Sequence, residues 1–236
     1  MPDTAAPPPV LLFDLDGTLV HSVPDLRVAA NKLLAEDGRR ALSDDEVQAM
    51  VGNGVRKLVE RCYRATGGLP DGDLDSVLDA LVPRFMVHYD AHPADLTRPF
   101  DGAVAALESL RAAGHRMAVV TNKPTEAARA ILDQLDLARF FDVLIGGGST
   151  AFLKPHPEPV RAALRLLEAD AADAIFVGDS ENDVGAARAA GLAVVCLSFG
   201  YRHCPAESLG GDALIDHFDA LPQAVETVRK RAMQKA

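Results

Sequence analysis

Two hydrophobic rhythms alternate along this chain, and their order divides it into parts. Val10–Phe13 is a short unbroken apolar run that stops at Asp14-Leu15-Asp16-Gly17-Thr18, the pattern of a buried strand opening into a polar loop. From residue 24 to about residue 36, Leu26, Ala30, Leu33 and Leu34 recur at helical spacing, and Gly38 supplies a stop. Ser43 and Glu46 have capping-box spacing ahead of Val47 and Met50, Gly52-Asn53-Gly54 breaks the pattern, and a further helical run covers 55–63. Beyond Gly67-Gly68 and Pro70, the positions Leu74, Val77, Leu78, Leu81, Val82, Phe85 and Tyr89 keep a 3.6-residue stripe.

Past Pro93 and Pro99 the rhythm changes. Helical stretches at 102–113, 125–135, 158–168 and 184–190, and a terminal one from Leu221, alternate with apolar runs at 117–120, 143–145, 174–177 and 193–197. Continuous apolar strands separated by helices predict a parallel sheet covered on both faces. The strand at Val10 belongs with this later set. The fold class is therefore α/β: a Rossmann-like parallel sheet core from residues 1–22 and 93–236, with residues 23–92 as an inserted α-helical cap domain.

Composition and charge narrow the partners. Of 236 residues, 48% are apolar and 25% charged, the balance of an ordinary globular protein rather than a disordered or disulfide-stapled one. A net charge of -10 opposes attachment to nucleic acid or to anionic lipid, both of which need a basic patch. No apolar stretch is long enough to span a bilayer, and the first nine residues hold no Lys or Arg and do not read as a signal peptide. Cys62, Cys196 and Cys204 follow no C-x-x-C spacing and read as free thiols in a reducing compartment. The expectation is a cytoplasmic monomer or homodimer acting on a small molecule, with no nucleic acid or membrane partner.

In open parallel sheets ligands bind outside the carboxyl ends of the strands, and here those ends are polar. The first strand ends in Asp14 and Asp16, the next in Thr121-Asn122-Lys123, and a later one in Gly178-Asp179-Ser180, with Asp183 four residues beyond Asp179; Lys154 precedes the helix after the strand at 143. Converging carboxylates repel one another, and a hard oxygen-seeking cation relieves the repulsion. Mg²⁺ suits a site with few protein ligands and a shared phosphate oxygen. Lys154 as a fixed charge and Thr121 as a donor would hold a phosphoryl group, Asp14 would attack it, and Asp16 would move protons.

Asp14-Leu15-Asp16-Gly17-Thr18, Thr121-Asn122, Lys154-Pro155 and Gly178-Asp179-Ser180-Glu181-Asn182-Asp183 together resemble the four ordered motifs of the haloacid dehalogenase superfamily. The resemblance covers nearly the whole chain, because the helical insertion is similar to that superfamily's cap. It implies Asp14 as nucleophile and Asp16 as acid and base, with Mg²⁺ held by Asp14, Asp179 and the Asp16 carbonyl. It further implies phosphate binding by Thr121, Asn122 and Lys154, and a supporting role for Asp183, orienting the lysine or a metal-bound water.

Finer matches resemble the phosphoglycolate phosphatase branch: Asn53-Gly54, Thr121-Asn122-Lys123-Pro124, Lys154-Pro155-His156-Pro157-Glu158-Pro159 and Phe199-Gly200-Tyr201. The implied reaction is Mg²⁺-dependent hydrolysis of 2-phosphoglycolate to glycolate and phosphate. Two departures stand out: Gly148 where that branch commonly has an acidic residue, and Phe152-Leu153 in place of a proline and basic pair. Alternatives within the same chemistry are hydrolysis of a phosphosugar such as N-acetylmuramic acid 6-phosphate, or a phosphosugar mutase.

Other features carry less. Gly146-Gly147-Gly148-Ser149-Thr150 follows a strand, but no Gly-Lys-Ser/Thr follows it, which opposes a nucleotide-binding turn. His21, His156 and His203 read as structural, Cys204 as a structural thiol. Arg56 and Lys57 are weak candidates for meeting a substrate carboxylate from the cap.

Overall fold

The computed structural model describes residues 7–234, so the first six and last two residues of the sequence-predicted core lie outside the described residues. Strand β1 (Val10–Phe13) leads through a tight loop to β2 (Val20–His21), and four helices follow: α1 (Val23–Glu36), α2 (Asp44–Gln48), α3 (Val55–Ala65) and α4 (Leu74–Asp90). The chain returns through β3 (Arg98–Pro99), which pairs antiparallel with β2, so the two strands connecting the helical stretch to the rest run side by side. Alternation then proceeds through α5 (Ala103–Ala112), β4 (Met117–Pro124), α6 (Thr125–Gln134), β5 (Val143–Gly147), α7 (Glu158–Leu166), β6 (Ala174–Gly178), α8 (Glu181–Ala190), β7 (Ala193–Leu197), β8 (Ala213–Ile215) and α9 (Leu221–Met233).

Six strands form one sheet in the order β5-β4-β1-β6-β7-β8, with every neighbouring pair parallel. Side chains alternate between faces with a period of two. Leu11, Phe13, Met117, Val119, Ile175 and Val177 join one core with residues of α5, α6 and α9, while Leu12, Ala118, Val120 and Phe176 join a second with residues of α7 and α8. A third cluster lies within the helical stretch, where Leu26, Leu33 and Leu34 of α1 meet Leu58 and Tyr63 of α3 and Leu81, Phe85 and Tyr89 of α4.

Local signals explain most element ends. Ser43 and Glu46 form the capping box that starts α2, and Pro24 sits in the first turn of α1, where its missing N–H costs nothing. Four differences from the sequence expectation have physical causes. The β2–β3 ribbon is two residues wide and the edge strand β8 three residues long, too short to display a period. Strand β4 runs past its apolar part through Thr121, Asn122 and Lys123, with irregular pairing between Val120 and Pro124. Helix α8 begins at Glu181, because Ser180 and Asp183 make a reciprocal cap there. Among the described residues no helix is long and apolar enough to cross a membrane.

Candidate active site

The register of three strands decides what meets. Phe13 lies level with Val119 of β4 and with Val177 of β6, and the Asp14 N–H donates to the Val177 carbonyl at 3.1 Å. Asp14 and Asp179, which follow β1 and β6, and Thr121, past the apolar part of β4, therefore emerge at one edge. β1 is also where the strand order reverses, the position at which a parallel sheet opens a crevice for ligand.

Asp14, Asp179 and Asp183 are buried, and each offers a carboxylate oxygen within 4.8 Å of the others. Burial raises the pKa of Asp14 to about 6, opposed by Lys154 and reinforced by Asp183 and Asp16. Asp179 is pushed well above the ordinary carboxylate range by burial, then by Asp183 and Asp14, although Thr18 and the Tyr201 N–H oppose the shift. Its Oδ1 accepts from Thr18 Oγ1 at 2.6 Å and its Oδ2 from the Tyr201 N–H at 2.6 Å. Two glycines make that approach possible. A Cβ at Gly17 (φ +87°) would stand 2.6 Å from Asp179 Oδ2, and one at Gly200 (φ +101°) only 2.4 Å.

Asp183 is the most fully engaged of the three. Its Oδ2 accepts from the Asp179 N–H at 3.2 Å, the Ser180 N–H at 3.0 Å and Ser180 Oγ at 2.7 Å, while Oδ1 accepts from Lys154 Nζ at 2.6 Å. Lys154 also donates to the Val120 carbonyl at 2.7 Å. It also stands 2.8 Å from Asp14 Oδ1, a buried oxygen that no other protein donor meets. Burial alone would lower the lysine's pKa, but Asp14 and Asp183 outweigh it and raise it.

Three carboxylates against one ammonium leave two negative charges in excess when all are ionised. Hard oxygen donors, an oxygen that no protein donor but Lys154 meets and two upshifted acids are the environment that a divalent cation completes. The donor set fits Mg²⁺, with Asp14 and Asp179 as the more open oxygens and Asp183 tied to the lysine and the α8 cap.

The remaining sequence-predicted residues divide. Thr121 lines the cleft, and its Oγ1 accepts from the Lys123 N–H at 3.3 Å. The Asn122 side chain is spent on protein: Nδ2 donates to the carbonyls of Lys154 and Gly52, both at 2.9 Å, and Oδ1 accepts from the Lys154 N–H at 2.8 Å. Its carboxamide thus fixes the Lys154 loop and touches the helical stretch. Asp16 is paired outside the three-aspartate cluster, with both oxygens 3.1 Å from Lys123 Nζ.

Several participants were not singled out from sequence. Lys123 is buried, with its ammonium 4.7 Å from the Tyr89 ring centre. Tyr201 joins the three-aspartate edge to the start of α1: its hydroxyl accepts from the Ser22 N–H at 2.8 Å and lies 2.9 Å from His21 Nδ1. His21 and His203 make structural contacts, the latter donating from Nε2 to the Ala49 carbonyl at 3.1 Å, and His156 stacks on Phe152. Arg56 pairs with Asp75 and Asp79, and Lys57 with Glu60, so both basic cap residues are committed within the helical stretch. Cys62, Cys196 and Cys204 are all free.

Between the two parts lies a cleft enclosing about 510 Å³ of empty space, partly open to solvent. Asp14, Asp16, Thr121, Asn122 and Lys123 form its floor, and Leu26, Val55, Leu58, Phe85, Met86 and Tyr89 contribute an apolar wall.

The chain is similar to known proteins in sequence and in fold. A phosphoglycolate phosphatase of Cereibacter sphaeroides is 44% identical over 214 residues, covering 91% of this chain and 96% of its own length. One from Rhodospirillum rubrum is 45% identical over 215 residues, 91% and 89% of the two lengths. A crystal structure described as a predicted phosphoglycolate phosphatase from Haemophilus somnus superimposes with a TM-score of 0.85 at 32% identity, covering 92% of this chain and 97% of that one. The model of the haloacid dehalogenase-like hydrolases matches residues 8–191, and the chain belongs to that family.

Proposed function

We propose that this hydrolase is a Mg²⁺-dependent phosphatase that converts 2-phosphoglycolate to glycolate and phosphate through an aspartyl phosphate on Asp14. The observation that carries the reading is Asp14 itself: a buried carboxylate at a strand end whose Oδ1 meets the Lys154 ammonium at 2.8 Å and no other protein donor. A carboxylate oxygen held beside a fixed ammonium can turn on phosphorus while the same ammonium meets the phosphoryl oxygens.

In the proposed reaction Asp14 attacks while Lys154, the Thr121 hydroxyl and the Asn122 main-chain N–H hold the phosphoryl oxygens. Asp16 gives a proton to the leaving glycolate oxygen and then accepts one from the water that hydrolyses the intermediate. Asp14, Asp179 and the Asp16 carbonyl would hold Mg²⁺, with Asp183 supporting them through Lys154. Bound Mg²⁺ supplies charge neutralisation for the phosphoryl oxygens and the carboxylates. Residues 23–92 act as a cap that closes over the substrate and excludes water. The substrate is taken from the relatives named phosphoglycolate phosphatase at 44% and 45% identity. A cytoplasmic location belongs to the same reading and is supported by the three free thiols.

Phosphate release from 2-phosphoglycolate and a panel of phosphosugars including N-acetylmuramic acid 6-phosphate, with and without Mg²⁺, tests the proposal. The expected result is selective, Mg²⁺-dependent release that Asp14→Asn lowers by about 10⁴-fold or more. Preference for a phosphosugar overturns the substrate, and full activity in Asp14→Asn overturns the mechanism.

A further inference from the structure

The cleft has an apolar wall and a charged floor, and one ammonium on that floor is placed to do more than balance its neighbour. Among the described residues lining the cleft, Lys123 is the one cation. Lys154 lies behind it, already committed to the Val120 carbonyl, Asp183 and Asp14. The basic residues of the third helix are engaged elsewhere: Arg56 with Asp75 and Asp79, Lys57 and Arg64 with Glu60, and Arg61 with the Met50 carbonyl and Asn53 Oδ1, both at 2.7 Å. An anionic group that enters this space beside the phosphoryl group therefore has one cation to meet.

That cation is occupied. Lys123 Nζ stands 3.1 Å from both oxygens of Asp16, and the ring of Tyr89 lies on it at 4.7 Å from the cap side. An aromatic face attracts an ammonium without filling its hydrogen-bonding capacity, so the lysine is held at the cleft while remaining able to change partners. Asp16, with both oxygens turned to Lys123, is not free to face a leaving oxygen.

Resting on the phosphatase reading, we propose that Lys123 is the residue that selects substrates carrying a second anionic group, and that it does so by ion-pair exchange. The carboxylate of 2-phosphoglycolate draws the ammonium away from Asp16, whose uncovered carboxylate takes a proton from water in the partly open cleft and passes it to the leaving ester oxygen, which keeps the electron pair of the broken P–O bond. A neutral phosphomonoester binds the same floor but leaves Asp16 covered. Recognition of the second anion and readiness of the acid-base residue are thereby one event, and the apolar wall sharpens it because neither charge has water to fall back on. Lys123 is a specificity residue toward the carboxylate and a positioning residue toward Asp16.

The test compares 2-phosphoglycolate with its neutral primary amide, using saturating Mg²⁺, in wild type, Lys123→Met and Lys123→Arg. Wild type is expected to favour the acid by about 100-fold in kcat/KM, the scale of a lost charge-assisted hydrogen bond. In Lys123→Met the rate on the acid falls by about 100-fold while the rate on the amide stays level or rises, so that the preference collapses. Lys123→Arg keeps the preference. Glycolate, but not glycolamide, competes with substrate in wild type, a binding readout that holds even if the methionine variant fails to fold. A parallel fall on both substrates, or a wild type indifferent to the carboxylate, overturns the proposal. Absence of phosphate release from either ester by wild type instead overturns the phosphatase reading on which it rests.

Discussion

On the core side of the cleft the closest contacts are ion pairs; where the loop leading into α3 meets the core they are not. The floor joins Asp14, Asp183 and Lys154 at 2.6–2.8 Å in a buried cluster. The end of α2 and the loop between α2 and α3 meet the sheet-bearing part through hydrogen bonds with no ion pair among them. Asn122 and Asn182 both donate to the Gly52 carbonyl, at 2.9 and 3.2 Å, and Gln48 reaches the Gly200 carbonyl at 3.4 Å. Neutral hydrogen bonds contribute about 1 kcal/mol each, whereas removing one partner of a buried ion pair costs about 3–5 kcal/mol. The two sides therefore suit different tasks: the floor keeps its geometry, and the roof is attached by bonds that water can replace.

The largest expected effect comes from breaking the floor. Lys154→Met leaves Asp14 and Asp183 facing each other in a buried site without their cation, and stability should fall by about 3–5 kcal/mol. Urea unfolding with and without Mg²⁺ checks it. The loss should shrink in Mg²⁺, since a divalent cation compensates the same carboxylates. A loss below about 1 kcal/mol in metal-free protein would mean that the floor is no more tightly fixed than the roof.

A smaller effect follows from the acids that the floor keeps partly unsatisfied. Asp14 rises from its ordinary 3.8 to about 6, chiefly through burial. The folded state thus holds a proton more tightly than the unfolded state, so protonation favours folding. This contribution is complete below about pH 4, is lost as pH rises to about 6, and amounts to about 3 kcal/mol. Asp179, raised in the same direction, adds a decline of the same sign. Metal-free wild type should lose stability relative to Asp14→Asn across this window, and Mg²⁺ should abolish the loss by favouring the ionised carboxylate. Chemical denaturation at pH 4, 5, 6 and 7 reads it directly; a difference that does not change with pH removes the argument that the cluster is built to be completed by a cation.

The floor was also the more legible side. Asp14, Thr121 and Asp179 follow continuous apolar runs, and parallel strands of similar length bring their ends to one edge, so sequence order alone places them together. Asp183 was legible four residues beyond Asp179 and through the family resemblance, whereas its reciprocal cap with Ser180 emerged only in the fold. Lys123 stood in plain view within Thr121-Asn122-Lys123-Pro124, yet its partner is 107 residues away on another loop, and no local pattern announces such a pairing. Asn122 read as a phosphate ligand, and the contacts of its carboxamide to Lys154 and Gly52 were not legible because they depend on how two distant loops fold back. The roof was legible as helices but not as a surface. Gly52-Asn53-Gly54 declared a break in the helical pattern and said nothing of the asparagines that would bind its carbonyl.

The smallest expected effect tests the roof alone. Asn182 sits on the first turn of α8, between Asp179 and Asp183 in sequence, but both of its side-chain bonds go to the cap: Nδ2 to the Gly52 carbonyl at 3.2 Å, and Oδ1 from Asn53 Nδ2 at 3.4 Å. Asn182→Ala removes those two bonds and none of the floor's charges. Closure over the substrate becomes less favourable by about 1 kcal/mol, so KM should rise about fivefold while kcat stays within about twofold of wild type. Asn122→Ala is the contrast, because that side chain also holds both the N–H and the carbonyl of Lys154; there kcat should fall as well. Steady-state kinetics that separate kcat from KM at saturating Mg²⁺ distinguish the two variants. If Asn182→Ala lowers kcat as far as Asn122→Ala does, then the roof's neutral contacts position the reacting groups themselves, and the division between a fixed floor and a releasable roof fails at this point.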